Sequence, residues 1–330
     1  MGRYFLLYKK RYNMKKVLVV LLALMMCASV FAQGAAETSS AKYTVGICQL
    51  VQHPALDAAT QGFKDALVKG LGSDVVIDEQ NASGEATNCS TIVNGFVAKN
   101  VDLILANATA PLQAAASATS KIPVLGTSIT DYASALEIDG WTGTVGTNVS
   151  GTSDLAPLDK QAEMVKELFP TAKKVGLFFC SAEANSVYQV EEMEKYLAAL
   201  GLETVRFSFT DTNDVASVAQ KAADSVDVIY IPTDNTAAAN TEAIANVVIP
   251  AKTPVIAGEE GICAGCGVAT LSISYYDIGY ATGEMAVSIL KDGADVSKMP
   301  VQYAPQVTKK YNAAICEALG IAAPAGYVAI

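Results

Sequence analysis

The chain is short of the residues on which much enzyme chemistry depends. Its 330 residues contain one histidine, His53, which excludes any multi-histidine metal site and allows at most one His-dependent catalytic arrangement. No GxSxG frame surrounds a serine, and no Walker-type GxxxxGK[ST] occurs. The glycines of GICAGCG, Gly261, Gly265 and Gly267, do not follow GxGxxG, so neither a nucleophile elbow nor a nucleotide cofactor is expected. Positive charge is scarce too, at 23 Lys and Arg against 33 Asp and Glu. Arg3, Lys9, Lys10, Arg11, Lys15 and Lys16 fall within the first 32 positions, where there is no acid, leaving 17 against 33 in the body. A net charge near −16 argues against sequence-independent binding to nucleic acid or anionic lipid. What is present is a packed composition, 51% hydrophobic and 17% charged. It excludes disorder as the main state, and the length suits about two domains of roughly 150 residues.

From Met14 the chain reads MKKVLVVLLALMMCASVFAQ: two lysines, an apolar run from Val17 to Met26, then small residues. This is a signal-peptide pattern over residues 1–32, with an apolar core too short for a comfortable bilayer span. Residues 1–13 read as an extension upstream of a start at Met14. Val30 and Ala32 fit cleavage before Gln33; lipid attachment at Cys27 and a retained anchor are the alternatives, and Met26 is large for a lipobox. No other stretch is long and apolar enough to span a membrane. The expectation is an exported protein, periplasmic or at the cell surface, with 33–41 as linker.

Beyond Lys42, short β-branched runs alternate with Ala-rich helical stretches, the signature of a parallel α/β fold. Strands are expected to begin near Tyr43, Val75, Val101 and Ile122, and again near Lys174, Glu203, Val226 and Thr253, so two similar lobes are expected. Leu56, Ala59, Phe63 and Leu67 form one apolar helical stripe; Val187, Val190, Met193, Leu197 and Leu200 form another, ending at Gly201. The glycine-rich stretch Thr142 to Ser153 suits a passage between lobes. A helix at Ile278 to Leu290 and a piece from Val301 imply further crossings, hence a hinge over a cleft.

In open parallel sheets the ligand sits beyond the carboxyl ends of the strands. Those positions are polar in both halves: Gln49, His53, Asn107, Thr109, Thr127, Ser128 and Asp131, then Glu183, Asn185, Ser186, Asp234, Asn235, Thr236, Gly258, Glu259 and Glu260. Taken singly, the Asn, Asp, Ser and Thr residues also read as helix caps. His53 reads as a ligand-lining imidazole or a structural histidine; pairing it with Ser128 and Asp131 for hydrolysis lacks a nucleophile frame. Asp234 follows an apolar strand and would project a carboxylate into the cleft; if the ligand is an amino acid, Asp234 is expected to hold its ammonium and Thr109 and Ser128 to supply neutral donors to its carboxylate. Cys48 and Cys180 read as small buried side chains. Cys263 and Cys266 lack partners for a zinc site, and GEEGICAGCGVAT reads as a loop rather than a helix start. A structural disulfide between them is expected, with a reduced pair as the rival state.

The stretches YTVGICQLVQHPALDAATQGFKDAL, IPVLGTSITD, NVSGTSDLAPLDKQAEMVKELFP, SAEANSV, VIYIPTDNT and VATLSISYYDIGYATGEMA resemble bacterial ABC-transporter substrate-binding proteins of the tryptophan/tyrosine-binding type. The resemblance runs from about Lys42 to the last helices, with HPALD, TSDL and DNT as its most specific points; the poor lipobox departs from it. It implies a type I periplasmic-binding-protein fold, two Rossmann-like lobes with parallel sheets joined by a three-segment hinge. The lobes would comprise 42–150 plus about 274–300, and 151–273 plus about 301–330. By motif match it implies cleft positions at Gln49, His53, Thr109, Ser128, Asp154, Asn185, Asp234 and Asn235. It further implies a small ligand, an aromatic or apolar amino acid, and an ABC permease with a separate ATPase. A monomer without cofactor or enzymatic activity is expected; a sensory module feeding a receptor and an enzyme on the same fold are the alternatives.

Overall fold

The computed structural model describes residues 41–330; the signal pattern, the Met14 start and Cys27 lie outside them. The chain opens with β1 (Tyr43–Gln49), α1 (Pro54–Leu71), β2 (Val75–Asn81), α2 (Ala86–Lys99), β3 (Leu103–Asn107), α3 (Thr109–Ala118), β4 (Val124–Ile129), α4 (Tyr132–Ala135) and β5 (Val149–Ser153). After a first crossing come α5 (Leu158–Leu168), β6 (Lys174–Cys180), α6 (Ala184–Ala199), β7 (Glu203–Phe209), α7 (Val215–Ala223), β8 (Val228–Ile231), α8 (Asn235–Ala238), α9 (Thr241–Val248), β9 (Val255–Ala257), α10 (Glu260–Cys266) and β10 (Ala269–Ser272). A second crossing leads to α11 (Tyr275–Asp292) and β11 (Gln302–Tyr303), and a third to β12 (Thr308–Tyr311), α12 (Ala313–Leu319) and β13 (Val328–Ala329).

The strands form a six-stranded sheet, β11-β5-β4-β3-β1-β2, and a seven-stranded sheet, β13-β12-β10-β9-β8-β6-β7. Their first five strands share one spatial order, second-first-third-fourth-fifth, so the two lobes repeat a single doubly wound plan. The repeat extends to side chains. Asp102 accepts the Thr44 amide at 2.7 Å, and Asp227 accepts the Lys173 and Lys174 amides at 2.8 and 2.9 Å, each clamping the start of its lobe's first strand. These turns delay β3 and β8 to Leu103 and Val228, two positions beyond the expected starts.

Period-two burial fills both faces of each sheet. Val45, Ile47, Leu103 and Leu105 pack with Phe63 of α1 and Met285 of α11, while Cys48, Ile104 and Ala106 pack with Phe96 of α2 and Leu112 of α3. In the second lobe Leu177, Phe179 and Tyr230 face α5, α6 and α12; Phe178, Ile229 and Ile231 face α7 to α10.

Four expectations require correction. Thr142 to Ser153 is not the passage between lobes, because Val149–Ser153 is a fully buried fifth strand paired with β4. Its small residues are needed for a close approach: Tyr132 donates its hydroxyl to the Gly126 and Thr152 carbonyls at 3.0 and 3.2 Å, beside Gly151, where a Cβ would collide. Likewise β11 pairs with β5, so Gln302 and Tyr303 belong to the first sheet rather than to a second-lobe segment starting at 301. The second sheet is not wholly parallel, since β12 returns from the third crossing antiparallel to β10. GEEGICAGCGVAT is not a loop but contains α10, because the Glu259 carboxylate caps the amides of Gly261 and Ile262.

Helix α11 packs along α1 with glycines at the contact. A Cβ on Gly279 would collide with the Ala59 carbonyl oxygen, one on Gly62 with the Tyr276 carbonyl, and one on Gly283 would lie 2.6 Å from the Ala66 Cβ. Gly279→Val should therefore cost about 1–3 kcal/mol through overpacking, read as a lower urea midpoint; an unchanged midpoint contradicts this account of the helix pair.

Candidate ligand cleft

The carboxyl ends of the two sheets face each other across a narrow polar gap. The first lobe contributes His53, Leu56, Ser128 and Thr130; the second contributes Asn185, Thr233, Asp234, Asn235, Ala238 and Glu259; Asp154 and Tyr275 stand where the first two crossings meet it. The gap measures about 10 Å³, room for about one water molecule. A solute larger than water enters only when the lobes part.

His53 is the N-cap of α1, with Pro54 at the first helical position. Its Nε2 lies 3.3 Å from Asn235 Oδ1 in the opposite lobe. Burial lowers its pKa, outweighing Asn235, Glu183 and Asp57, so the ring is neutral and Nε2–H donates to Asn235. Its Nδ1 is left buried without a partner. Ser128 sits at a register shift in β4 with φ +58, a left-handed conformation that re-aims the chain, and its buried Oγ is also unpartnered. Buried polar atoms of this kind ask for an explanation, and a ligand is one.

A chain of hydrogen bonds spans the gap beside them. Asp154 accepts from the Tyr275 hydroxyl at 2.8 Å and from Thr130 Oγ1 at 3.1 Å. Thr130 Oγ1 lies 3.4 Å from Thr233 Oγ1, and Gln189 Nε2 donates to Thr233 Oγ1 at 2.6 Å. Three more carboxylates are held by helix starts. Asp234 accepts the Cys180 and Ala237 amides at 2.6 and 2.8 Å. Glu259 accepts those of Gly261, at 2.6 Å, and Ile262. Glu183 accepts the Asn235 and Thr236 amides at 3.0 and 2.8 Å, the Asn235 and Asn185 side-chain amides, and the Thr236 hydroxyl. Burial raises the carboxyl of Asp154, that of Asp234 to about 8 with help from the Glu183 charge, and that of Glu259 to about 7. No lysine or arginine lines the gap.

The remaining sequence candidates stand behind this wall. Gln49 accepts from Thr60 at 2.5 Å and donates to Asp57 at 2.7 Å, and Asn107 donates to the Leu56 carbonyl at 2.8 Å, with its Oδ1 unpartnered. Thr127 lies 3.2 Å from Thr152 Oγ1, itself 2.8 Å from Thr282 Oγ1, tying the sheet to α11. Thr109 is buried as the first residue of α3, after Ala108 at φ +97, and is not on the gap wall. Gly258 packs on Pro232, and its carbonyl accepts Gln161 Nε2 at 3.1 Å. Leu56, Thr130, Thr233 and Ala238 were not expected from sequence. For the two threonines the signal was their place one step before aspartates already under suspicion, Asp131 and Asp234.

Cys263 and Cys266 are free, as are Cys48, Cys89, Cys180 and Cys316, and all are buried. This corrects the expected disulfide: on α10 the two thiols point into the core and donate to the Gly267 and Ile262 carbonyls at 3.8 and 3.4 Å. Burial pushes both thiols up, away from reactive thiolate. Among the described residues no group of three or more His, Cys, Asp and Glu is arranged to hold a metal ion, and no helix is long and apolar enough to cross a membrane.

Two matched lobes shut over a polar gap define a bilobal solute-binding protein. The family described as ABC transporter substrate binding protein matches residues 44–327, and the chain belongs to it. It is 37% identical over 269 residues to a tyrosine-binding protein of Clostridioides difficile strain R20291, covering 80% of this chain and 77% of that one. The ABC domain from Streptococcus pneumonia in complex with L-Trp superposes with a TM-score of 0.83 at 32% identity, over 88% of this chain and all 100% of that one. A ligand-free, open substrate-binding protein from Clostridium difficile gives 0.67 at 37% identity, over 87% and 99%. The more identical of these two structures, the open and ligand-free one, superposes less well.

Two outcomes follow from this chemistry. Unfolded, unreduced protein should show alkylated thiols at both 263 and 266 on mass mapping; a mass deficit of two hydrogens across that peptide contradicts the assignment. Glu259 folded keeps a proton that the unfolded chain sheds above its ordinary pKa of 4.5. Stability of the unliganded protein should therefore fall as pH rises from 4.5 to about 7. Urea midpoints of Glu259→Gln should lack that part of the slope; an identical slope removes Glu259 as its source.

Proposed function

We propose that the chain captures an aromatic amino acid between its lobes and presents it to an ABC permease served by a separate ATPase. The carrying observation is the gap itself: an unpartnered Ser128 Oγ on one side, buried carboxylates on the other, and, among the described residues, no lysine or arginine lining it. A zwitterion supplies what each side lacks. Its carboxylate meets neutral donors led by Ser128, and its ammonium meets a carboxylate. The tyrosine and tryptophan relatives support the ligand class.

In this reading the chain makes and breaks no covalent bond, and it works as an exported monomer after processing at Ala32 or lipid attachment at Cys27. Closure follows from differential affinity, because only the shut form lets one ligand touch both lobes. Among the described residues the side-chain hydrogen bonds made directly between the lobes are few and long, at 3.3 Å for His53 with Asn235, 3.4 Å for Thr130 with Thr233 and 3.5 Å for Gln189 with Thr130. They hold the closed form weakly and leave the ligand to tip the balance.

L-tryptophan and L-tyrosine should raise the melting temperature in a thermal-shift series and bind by calorimetry, while their carboxamides bind at least tenfold more weakly. Equal binding of acid and amide removes the neutral-donor account of the carboxylate.

A further inference from the structure

Of the four carboxylates in and behind the gap, three are already compensated by peptide groups. Asp234 has both oxygens on backbone amides, at 2.6 and 2.8 Å. Both oxygens of Glu259 take amides at the start of α10. Glu183 accepts two amides, two side-chain amides and a hydroxyl. These groups carry part of the positive end of a peptide dipole. Asp154 is different: buried, 4% exposed, it is held by two side-chain hydroxyls, Tyr275 and Thr130.

Its position differs as well. Asp154 is the first residue after β5, on the first crossing segment, and Tyr275 opens α11 just after the second. Thr130, its other donor, lies 3.4 Å from Thr233 of the opposite lobe. A cation at Asp154 thus sits where two crossings and both lobes meet.

We propose that Asp154, not Asp234, receives the ligand's ammonium group, and that Asp234 acts instead as a helix cap joining α8 to the end of β6. Of the four, Asp154 alone has no backbone amide of another residue on its carboxylate, so it is the one to which an ammonium adds a kind of donor the fold does not supply. The assignment rests on the amino-acid reading above and deepens it.

The test compares L-tryptophan with its deaminated counterpart, indole-3-propionate, by calorimetry on the intact protein. Wild type should prefer tryptophan. Asp154→Asn should weaken tryptophan at least about thirtyfold and leave indole-3-propionate within threefold, collapsing the preference. Asp234→Asn should keep the preference while lowering the melting temperature. Should Asp154→Asn fail to fold, Tyr275→Phe keeps the carboxylate but alters its setting, and the ratio of the two affinities should move by at least threefold. An unmoved ratio there, or a preserved preference in Asp154→Asn, overturns the assignment while leaving the amino-acid reading intact. Failure of wild type to bind either tryptophan or tyrosine overturns both.

Discussion

The cleft rests on one electrostatic arrangement: negative side chains are held inside the protein by peptide N–H groups rather than by cations. A buried carboxylate is costly unless paired or well hydrogen-bonded, and a lysine or arginine partner is the usual remedy. Here the remedy comes from the fold. A doubly wound sheet sends each strand into a helix start at the same edge, and each start offers unfilled amides. Asp234, Glu259 and Glu183 each accept such amides, Asp234 taking a second amide from Cys180 at the end of β6. Among the described residues no lysine or arginine lines the gap, so its buried carboxyls have no fixed counter-charge and hold their protons more tightly than in water.

Much of this plan was readable from the sequence, for physical reasons. Strands buried on both faces are written as short β-branched runs, and the repeated Val-Asp and Pro-Val pairs, Val101-Asp102 with Val226-Asp227 and Pro123-Val124 with Pro254-Val255, mark the same turns in each lobe. Polar residues after such runs pointed to the right sheet edge, and His53, Ser128, Asp154, Asn185, Asp234 and Asn235 do line the gap. The failures have equally local causes. Val149–Ser153 looks like a linker because its residues are small and include Gly151, where the Gly126 backbone and the Tyr132 hydroxyl leave no room for a Cβ. Helix α10 is hidden by its glycines and depends on a long-side-chain cap from Glu259. Gln49, Asn107 and Thr127 share the strand-end pattern but bond inward, a distinction set by the neighbouring helix rather than by spacing.

The half-satisfied state of the gap also accounts for its moderate grip on itself. Ser128 and His53 keep free polar atoms, and the interlobe contacts are near the long end of useful hydrogen bonds. Had these groups been paired with one another, the shut form would be its own ligand and a solute would have to compete with it. Leaving them unpaired makes closure conditional on what enters.

The glycine contact between α11 and α1 reaches further than packing. It fixes α11, and Tyr275 at its start, to the first lobe, and Asp154 follows directly from that lobe's β5. The aspartate and its tyrosine therefore travel as one body when the lobes part. Half of the site is standing ready in the separated form, while the other half arrives with the second lobe. In the reading proposed above, first encounter then falls to the first lobe while residence time depends on both, so changes to Asn185, Thr233 or Asn235 act more on how long a visit lasts than on how often one begins.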